Sequence, residues 1–462
     1  YYRLSTIDYI QKSPTLVPRM TTTNATPHIK TDKSVQRAWS MYDWANSAYN
    51  LVITSTIFPA YYTAVTQTTV NGQVMDTVSF FGIKVKNSSL FDYSIATAYL
   101  IIAMVSPILS SIADYKGNKK RLMQLFCYMG AASCCSLYFF TGKTVELGII
   151  FSGIAALGYC GSLVFYNAYL PEIAPEDQRD RLSAQGFAYG YIGSVILQLI
   201  CFVFVLNPKL FGITDSSFPA RLSFVLVGLW WIGFSQITFL KLPKGTPLAN
   251  KPEHNVLVNG FNELRKVWQQ IKQLPVLKTY LGGFFFYSMG VQTVMLAATI
   301  FGSKELHLET GQLIGVILVI QLVAIAGAYI MARLSARFGN LQVLLFVVFI
   351  WILVCIAAYY THSATQFYMV AAVVGLIMGG IQSLSRSTYS KLMPETHDTA
   401  SFFSFYDVTE KLAIVIGMLS FGFIDSIMNM RSAIVALITF FVAGAIVLYL
   451  AITKQAALAK QR

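Results

Sequence analysis

Long apolar stretches separated by short polar loops dominate the sequence, and this pattern restricts the fold more than any other feature. Because a membrane-spanning helix needs about 20 apolar residues, and only helices and closed barrels satisfy their backbone groups in lipid, we predict an all-α membrane protein. Of its 462 residues, 55% are hydrophobic and 12% are charged, which excludes an ordinary soluble domain. The twelve predicted transmembrane helices cover residues 40–66, 93–113, 122–141, 147–170, 184–206, 220–241, 278–302, 310–333, 341–361, 365–391, 399–424 and 431–453.

The distribution of basic residues predicts the orientation of these helices. Of the 34 Lys and Arg residues, 26 lie toward the side of the membrane shared by both termini and 7 toward the other, while Lys411 lies deep inside a predicted helix. Since basic loops remain in the cytoplasm, both termini are predicted to be cytoplasmic. This distribution also explains the net charge of +13, so we expect a lipid bilayer as partner and no nucleic acid.

The termini, cysteines and histidines give no signal for processing or for a cofactor. Residues 1–37 lack an apolar segment, so no cleavable signal peptide is expected, and Met20 could be the native start. All six cysteines fall in predicted helices, and none of the five histidines lies in the middle of one. We therefore predict no metal site, no disulfide framework and no cofactor.

Two landmarks recur at a nearly constant offset. Gly117 in SSIADYKGNKKRL is matched 222 residues later by Gly339, and Pro171 of Leu-Pro-Glu is matched 223 residues later by Pro394. A constant offset between equivalent loops indicates a duplicated six-helix unit. The predicted organisation is a polar tail (1–37), a six-helix bundle (38–241), a cytoplasmic linker (242–277), a second six-helix bundle (278–453) and a tail (454–462).

The linker carries apolar residues at helical spacing. Leu257, Phe261, Leu264, Trp268 and Ile271 recur every three or four positions between basic residues. This pattern predicts an amphipathic helix, either on the inner membrane surface or packed against the ends of the bundles. In the first outer loop, residues 67–92, Asn71-Gly72 between β-type residues predicts a small hairpin.

Several motifs resemble those of the major facilitator superfamily, whose plan is two pseudo-symmetric six-helix bundles. The loop after the second predicted helix is similar to that family's G-x-L-A-D-R-x-G-R-K motif, with Ser110 in place of the first Gly and Tyr115 in place of Arg. The resemblance implies a gate formed by Asp114, Gly117, Lys119 and Arg121. We expect Asp114 to accept from the N-terminus of a neighbouring helix, Gly117 to form the turn, and residues 119–121 to stay in water. The second copy has Ala336 in place of Asp, so we expect a weaker gate there.

Further motifs narrow the resemblance to the vacuole-effluxer branch, also called the unknown major facilitator family. They are YDWANSAY (42–49), YLPEIAPEDQRDRLSAQGFAYGYIGS (169–194), GGIQSLSRSTYSKLMPE (379–395) and FFSFYDVTEK (402–411). This resemblance implies a small-solute permease, and amino-acid efflux is the activity attributed to the fungal vacuolar members.

Polar side chains are concentrated in predicted helices 1, 4, 5, 7, 10 and 11. Asp43, Asn46 and Asn50 recur at i, i+3 and i+7, so they share one helix face. Because hydrocarbon does not accept such groups, we expect these helices to surround a central path; hydrogen bonding between helices is the alternative. The predicted solute-binding residues are Asn46, Tyr49, Asn50, Tyr166, Asn167, Gln292, Gln382 and Arg386.

Predicted helix 11 carries a cluster of charges. Asp407, Glu410 and Lys411 lie on one face, where each unpaired charge would cost at least about 2.5 kcal/mol. One cation cannot satisfy two carboxylates, so the surplus carboxylate is a candidate for proton coupling, with Asp43 as a further member of this charge-pair set. The alternative is a structural ion pair with Arg386.

The combined prediction is a monomeric secondary transporter that moves small polar or zwitterionic solutes, with amino acids as the first candidates, by alternating access and with possible proton coupling. The alternatives are the same scaffold carrying peptides, sugars or amphiphilic drugs, and a non-transporting membrane sensor or enzyme. No nucleophile–base constellation supports an enzyme. The predicted location is the inner (plasma) membrane of a bacterium or the vacuolar membrane of a fungus.

Overall fold

The computed structural model describes residues 32–70, 73–245 and 256–461, and within them the chain is almost entirely helical. Most of the N-terminal tail, the Asn71-Gly72 turn and residues 246–255 of the linker lie outside the described residues. The α-helices are α1 (Lys33–Ala48), α2 (Ile57–Thr66), α3 (Asn87–Lys116), α4 (Lys119–Ser136), α5 (Val145–Ala168), α6 (Leu170–Ile173), α7 (Glu176–Leu206), α8 (Phe218–Lys241), α9 (Val256–Gln273), α10 (Pro275–Lys304), α11 (Thr310–Phe338), α12 (Asn340–Tyr359), α13 (Ala364–Leu392), α14 (Thr399–Ile427), α15 (Met430–Ala436) and α16 (Ile438–Lys460).

Ten helical segments of the described chain are long and apolar enough to cross a membrane. They correspond to ten of the twelve predicted spans, with ends that differ from the prediction by a few residues. The predicted first and eleventh spans are helical as well, but they do not meet the same criteria of length and composition. The first segment is interrupted, and α14 contains Asp407, Glu410 and Lys411.

The first predicted span has an irregular middle. A π-helix, Tyr49–Thr56, connects α1 to α2, so the backbone stays helical from Lys33 to Thr66 while its register changes. Inside the π-helix, the hydroxyl of Thr56 donates to the carbonyl of Leu51, five residues earlier, at 2.7 Å. π-Helical turns of this kind occur frequently at functional sites.

Helix packing repeats between the first and second parts of the chain. In the N-terminal half (α1–α8), α1 packs against α7 and α8, α3 against α5, and α4 against α5 and α8. In the C-terminal half (α10–α16), α10 packs against α14 and α16, α11 against α13, and α12 against α13 and α16. Contacts between the halves also come in equivalent pairs, with α3 on α14 and α7 on α11. The packing therefore follows the repeat that the offset of 222 residues predicts.

The connections between helices agree with the sequence in part. Gly117 ends α3 with a φ of 62°, the left-handed conformation that a glycine adopts without a Cβ clash. The predicted hairpin is present as β1 (Thr68–Val70) and β2 (Gln73–Met75), and a second hairpin, β3 (Thr77–Phe80) with β4 (Ile83–Lys86), follows it. This second hairpin was not predicted from the sequence.

Helix α9 lies where the amphipathic helix of the linker is predicted, but Phe261 and Trp268 of the predicted apolar face are 57% and 43% exposed. Val267 and Ile271 are buried, and Trp268 stacks on Phe405 of α14 at 5.6 Å between ring centroids. α9 therefore packs against α3, α10 and α14, which is one of the two predicted arrangements.

Candidate functional site

A polar cavity of about 150 Å³ lies between the two halves of the protein. Of the twelve residues predicted for solute binding or charge pairing, eight line it: Asp43, Asn50, Asn167, Gln292, Gln382, Arg386, Glu410 and Lys411. Six aromatic residues also line it: Tyr99, Tyr159, Phe187, Phe284, Tyr287 and Tyr406. The residues that make this central cavity polar come from α1, α5, α10, α13, α14 and the π-helix, which belong to both halves.

One side of the central cavity is formed by an ion pair that joins the two halves. Arg386 of α13 contacts the Asp43 carboxylate of α1 at 3.2 Å, and Tyr166 donates its hydroxyl proton to the same oxygen at 2.8 Å. The guanidinium also donates to the hydroxyl and the carbonyl of Ser183, each at 2.9 Å, and lies 4.3 Å from the ring of Phe187. Almost every donor of Arg386 is therefore satisfied by the N-terminal half.

This pairing corrects one alternative from the sequence analysis. That alternative required Arg386 to pair with the charges of α14. Its guanidinium pairs with Asp43 of α1 instead. Gly186 of α7 allows the arrangement, since a Cβ at this position would overlap the Asp43 carboxylate and lie 2.9 Å from the Arg386 guanidinium. The backbone of α7 therefore approaches the ion pair closely at Gly186.

The other charged side of the central cavity is the Asp407 cluster, which consists of Asp407, Glu410 and Lys411. The ammonium of Lys411 lies 2.9 Å from Glu410 and 3.4 Å from Asp407, so one cation contacts both carboxylates, as the spacing predicts. Glu410 is the more exposed carboxylate and lines the cavity, whereas Asp407 lies behind Lys411.

Four predicted residues do not line the cavity. Asn46 is buried, the ring of Tyr49 packs at a tilted angle against Tyr159 and Trp231, and Tyr166 donates a hydrogen bond to Asp43. The fourth, Asp407, is buried beside Lys411. On this segment the cavity face is formed by Asp43, Ser47 and Asn50, at i, i+4 and i+7, and Asn46 lies to one side of that face. Tyr49, Asn46 and Tyr166 shape the site through packing and hydrogen bonds and have no surface on the cavity.

At one end of the molecule, the two halves are joined by the Asp114 cluster, which consists of Asp114, Lys119, Glu172 and residues 399–401 at the N-terminus of α14. Asp114 accepts the backbone N–H groups of Ala400 and Ser401, at 3.2 and 2.7 Å, at the N-terminus of α14. A carboxylate at a helix N-terminus satisfies unpaired donors and complements the helix dipole. The prediction for Asp114 is therefore confirmed in its geometry, and Arg121 is exposed as expected.

The prediction that Lys119 stays in water is wrong. Its ammonium is buried, contacts Glu172 closely, lies 3.7 Å from Asp114, and donates to the hydroxyl of Thr399 at 2.8 Å. Two carboxylates on α3 and α6 surround this position, and they compensate the cost of burying the charge. Lys119 therefore belongs to the contact between the halves.

A second cluster of contacts, not predicted from the sequence, joins the halves near the end of α11. Asp180 of α7 accepts from Ser335 at 2.9 Å and from Asn340 at 2.7 Å, and its carboxylate lies 2.6 Å from the ammonium of Lys391. We call these four residues the Asp180 cluster. The acid absent at Ala336 is thus supplied by the opposite half, so the expectation of a weaker second gate, based on Ala336 alone, overlooked its partner.

The comparisons with known proteins agree with this architecture. The model of the vacuole effluxer Atg22-like family matches residues 31–461. The uncharacterized MFS-type transporter YxiO of Bacillus subtilis is 33% identical over 416 residues, which cover 89% of this chain and 94% of YxiO. Autophagy-related protein 22-1 of Penicillium rubens is 23% identical over 426 residues, covering 74% of this chain and 71% of that protein.

Solved structures show the same fold at low sequence identity. The major facilitator superfamily transporter FucP, in the outward conformation, superposes with a TM-score of 0.65 at 12% identity, covering 91% of this chain and 99% of FucP. The proton:xylose symporter XylE superposes with a TM-score of 0.65 at 12% identity, covering 90% and 94% of the two chains. These similarities establish the fold and carry no information on the solute.

Proposed function

Because the chain belongs to the vacuole effluxer Atg22-like family of MFS-type transporters, we propose that it moves small polar or zwitterionic solutes, with amino acids as the preferred class, by alternating access. The central cavity carries this proposal. It lies between two halves whose packing repeats, and it contains a cationic and an anionic group on α14 beside several amides. A zwitterion needs one donor-rich and one acceptor-rich end, and this cavity offers both.

We further propose that all twelve predicted helices cross the membrane, in two bundles covering residues 38–241 and 278–453. The two remaining segments contribute Asp43, Asn50, Glu410 and Lys411 to the cavity. The first is divided by the π-helix into shorter helices, and the second carries charged residues that line an internal path without facing lipid, so both can still span the membrane. Both termini then lie in the cytoplasm, and the protein acts as a monomer in the plasma membrane of a bacterium or the vacuolar membrane of a fungus.

The two gate clusters support an outward-facing state. The Asp114 and Asp180 clusters both join the halves at the end where α3 and α11 terminate, which positive loops would place in the cytoplasm. The Asp43–Arg386 pair also joins the halves, between these clusters and the cavity. Release of solute on that side requires all three contacts to open.

The size and lining of the cavity separate the candidate solutes. A volume of about 150 Å³ suits a small solute better than a peptide or an amphiphilic drug. Sugars are the second candidate, because aromatic rings and amides together form a large part of the lining. The charged groups of α14 favour the zwitterion, since its carboxylate and ammonium can interact with Lys411 and Glu410, whereas a neutral sugar carries no charge for either.

Uptake into proteoliposomes tests the proposal. We expect radiolabelled amino acids to enter faster than monosaccharides, and counterflow to require protein. Gln292→Ala, which alters the cavity, should raise KM, whereas Gln455→Ala on the exposed end of α16 should not. Transport of sugars with no amino acid moved would overturn the choice of substrate, and binding without flux of any solute would indicate a sensor.

A further inference from the structure

The charged groups at the central cavity do not balance. Among the described residues, the charged groups that line it are Asp43, Arg386, Glu410 and Lys411, and Asp407 lies directly behind Lys411. Asp43 and Arg386 neutralise each other at 3.2 Å. The Asp407 cluster then holds two carboxylates and one ammonium, which leaves one surplus negative charge inside the protein. Such a charge is costly in a membrane and requires a cation.

One oxygen of Asp407 shows where this surplus negative charge lies. Asp407 is 3% exposed, and its Oδ2 accepts no hydrogen bond within the described chain, while Oδ1 faces the ammonium of Lys411 at 3.4 Å. A buried carboxylate oxygen without a donor carries a desolvation cost that a bound proton removes. Glu410, in contrast, lies closer to Lys411, at 2.9 Å, and is partly exposed to the cavity.

The side chains facing the cluster from each neighbouring helix are neutral. Their ionisable members are Tyr99 of α3, Tyr159 and Cys160 of α5, Tyr287 of α10 and Tyr406 of α14 itself. Among the described cations of the other neighbours, Lys266 of α9 lies on Asp398 and Arg431 of α15 on Glu305, while Arg265 and Lys272 of α9 are exposed on the surface. No second cation of the described chain therefore compensates Asp407.

We propose that the Asp407 cluster binds one proton, and that this proton prepares Lys411 to hold the carboxylate of the transported solute. The proton passes from water to Oδ2 of Asp407, where an O–H bond forms and the charge of the carboxylate disappears. Lys411 then loses one of its two counter-ions and turns a donor toward the cavity that it already lines. When the halves open to the other side, the proton returns to water with the solute.

This inference rests on the proposed function and predicts symport of a carboxylate-bearing solute with a proton. For 1:1 coupling, an inward gradient of about one pH unit supports about tenfold accumulation, since one pH unit and a tenfold concentration ratio carry the same free energy. The position of the Lys411 ammonium between the two carboxylates leaves a Na⁺ ion no comparable place.

Proteoliposomes with an internal pH-sensitive dye test the proposal. For the wild type we expect proton entry with the amino acid, and accumulation that follows the pH gradient and ignores a Na⁺ gradient. Asp407→Asn should lower the accumulation ratio to one while amino-acid counterflow continues with a rate independent of pH. Asp407→Glu should restore accumulation, and Asp425→Asn, on the same helix outside the cluster, should behave as the wild type.

The outcomes separate this inference from the proposed function. If neither uptake nor counterflow of any amino acid occurs in the wild type, the proposed function fails. If the wild type transports but Asp407→Asn still accumulates the amino acid with the pH gradient, or if Na⁺ drives accumulation, the proton site is overturned. Should Asp407→Asn not fold, the wild-type dye signal decides, since solute entry without proton entry contradicts the proposal.

Discussion

The Asp180 cluster makes a quantitative prediction about how the protein opens. Asp180→Asn keeps the size of the side chain and a carbonyl oxygen that can accept the hydrogen bond from Ser335. It removes the negative charge that lies 2.6 Å from the Lys391 ammonium. Breaking a fully buried ion pair costs about 3–5 kcal/mol. The side chain of Lys391 is 18% exposed and also donates to Asn340, so we expect about 2 kcal/mol, which lowers the ratio of closed to open gates about 30-fold.

Spin labels at exposed positions 177 and 337, on opposite sides of the Asp180 cluster, measure this opening by double electron–electron resonance in nanodiscs. We expect one short distance for the parent protein and a substantial longer-distance population for Asp180→Asn. Glu176→Gln, which removes an exposed carboxylate from the same turn of α7, serves as the control and should keep the short distance. An Asp180→Asn distribution identical to that of the parent would refute the assignment of Asp180 as a gate residue.

Three further variants test the site. Asp43→Asn leaves the buried guanidinium of Arg386 without a counter-ion, so we expect about 3 kcal/mol less stability and a lower thermal unfolding temperature; an unchanged temperature would contradict the pairing. Gly186→Ala places a methyl against the Asp43 carboxylate and should impair transport, whereas Gly233→Ala, which meets nothing within 4 Å, should not. Gln292→Ala removes up to one hydrogen bond to the solute, about 1 kcal/mol, so KM in uptake assays should rise about fivefold; a lower kcat with unchanged KM would argue against solute contact.

Much of the fold could be predicted from the sequence, because long apolar stretches and a fixed repeat offset leave few arrangements in a membrane. The spacing of Asp407, Glu410 and Lys411 predicts their contact, since residues three and four apart meet on a regular helix. The contact between Asp114 and the N-terminus of α14 could also be predicted, because the motif places a carboxylate at a helix end, where it can accept from unpaired N–H groups.

Contacts between distant segments were harder to predict. The sequence does not indicate that Arg386 pairs with Asp43, 343 residues away, because either acid of α14 satisfies the same charge argument. The repeat does not indicate Asp180, because the position equivalent to Asp114 is Ala336. The structure supplies the acid from the opposite half. Asn46 shares a broad helix face with Asp43 and Asn50, but Ser47 takes the cavity position between them, and spacing alone does not distinguish the centre of a face from its edge.

The location of the transported solute tests the proposed function most directly. A cryo-electron microscopy map of the protein in nanodiscs, prepared with an amino acid that the same preparation transports, would show it. We expect density in the central cavity, in contact with Gln292 and Gln382 and within reach of the Lys411 ammonium. An empty cavity, with the amino acid bound outside the space between the two halves, would contradict the assignment of this cavity as the transport site.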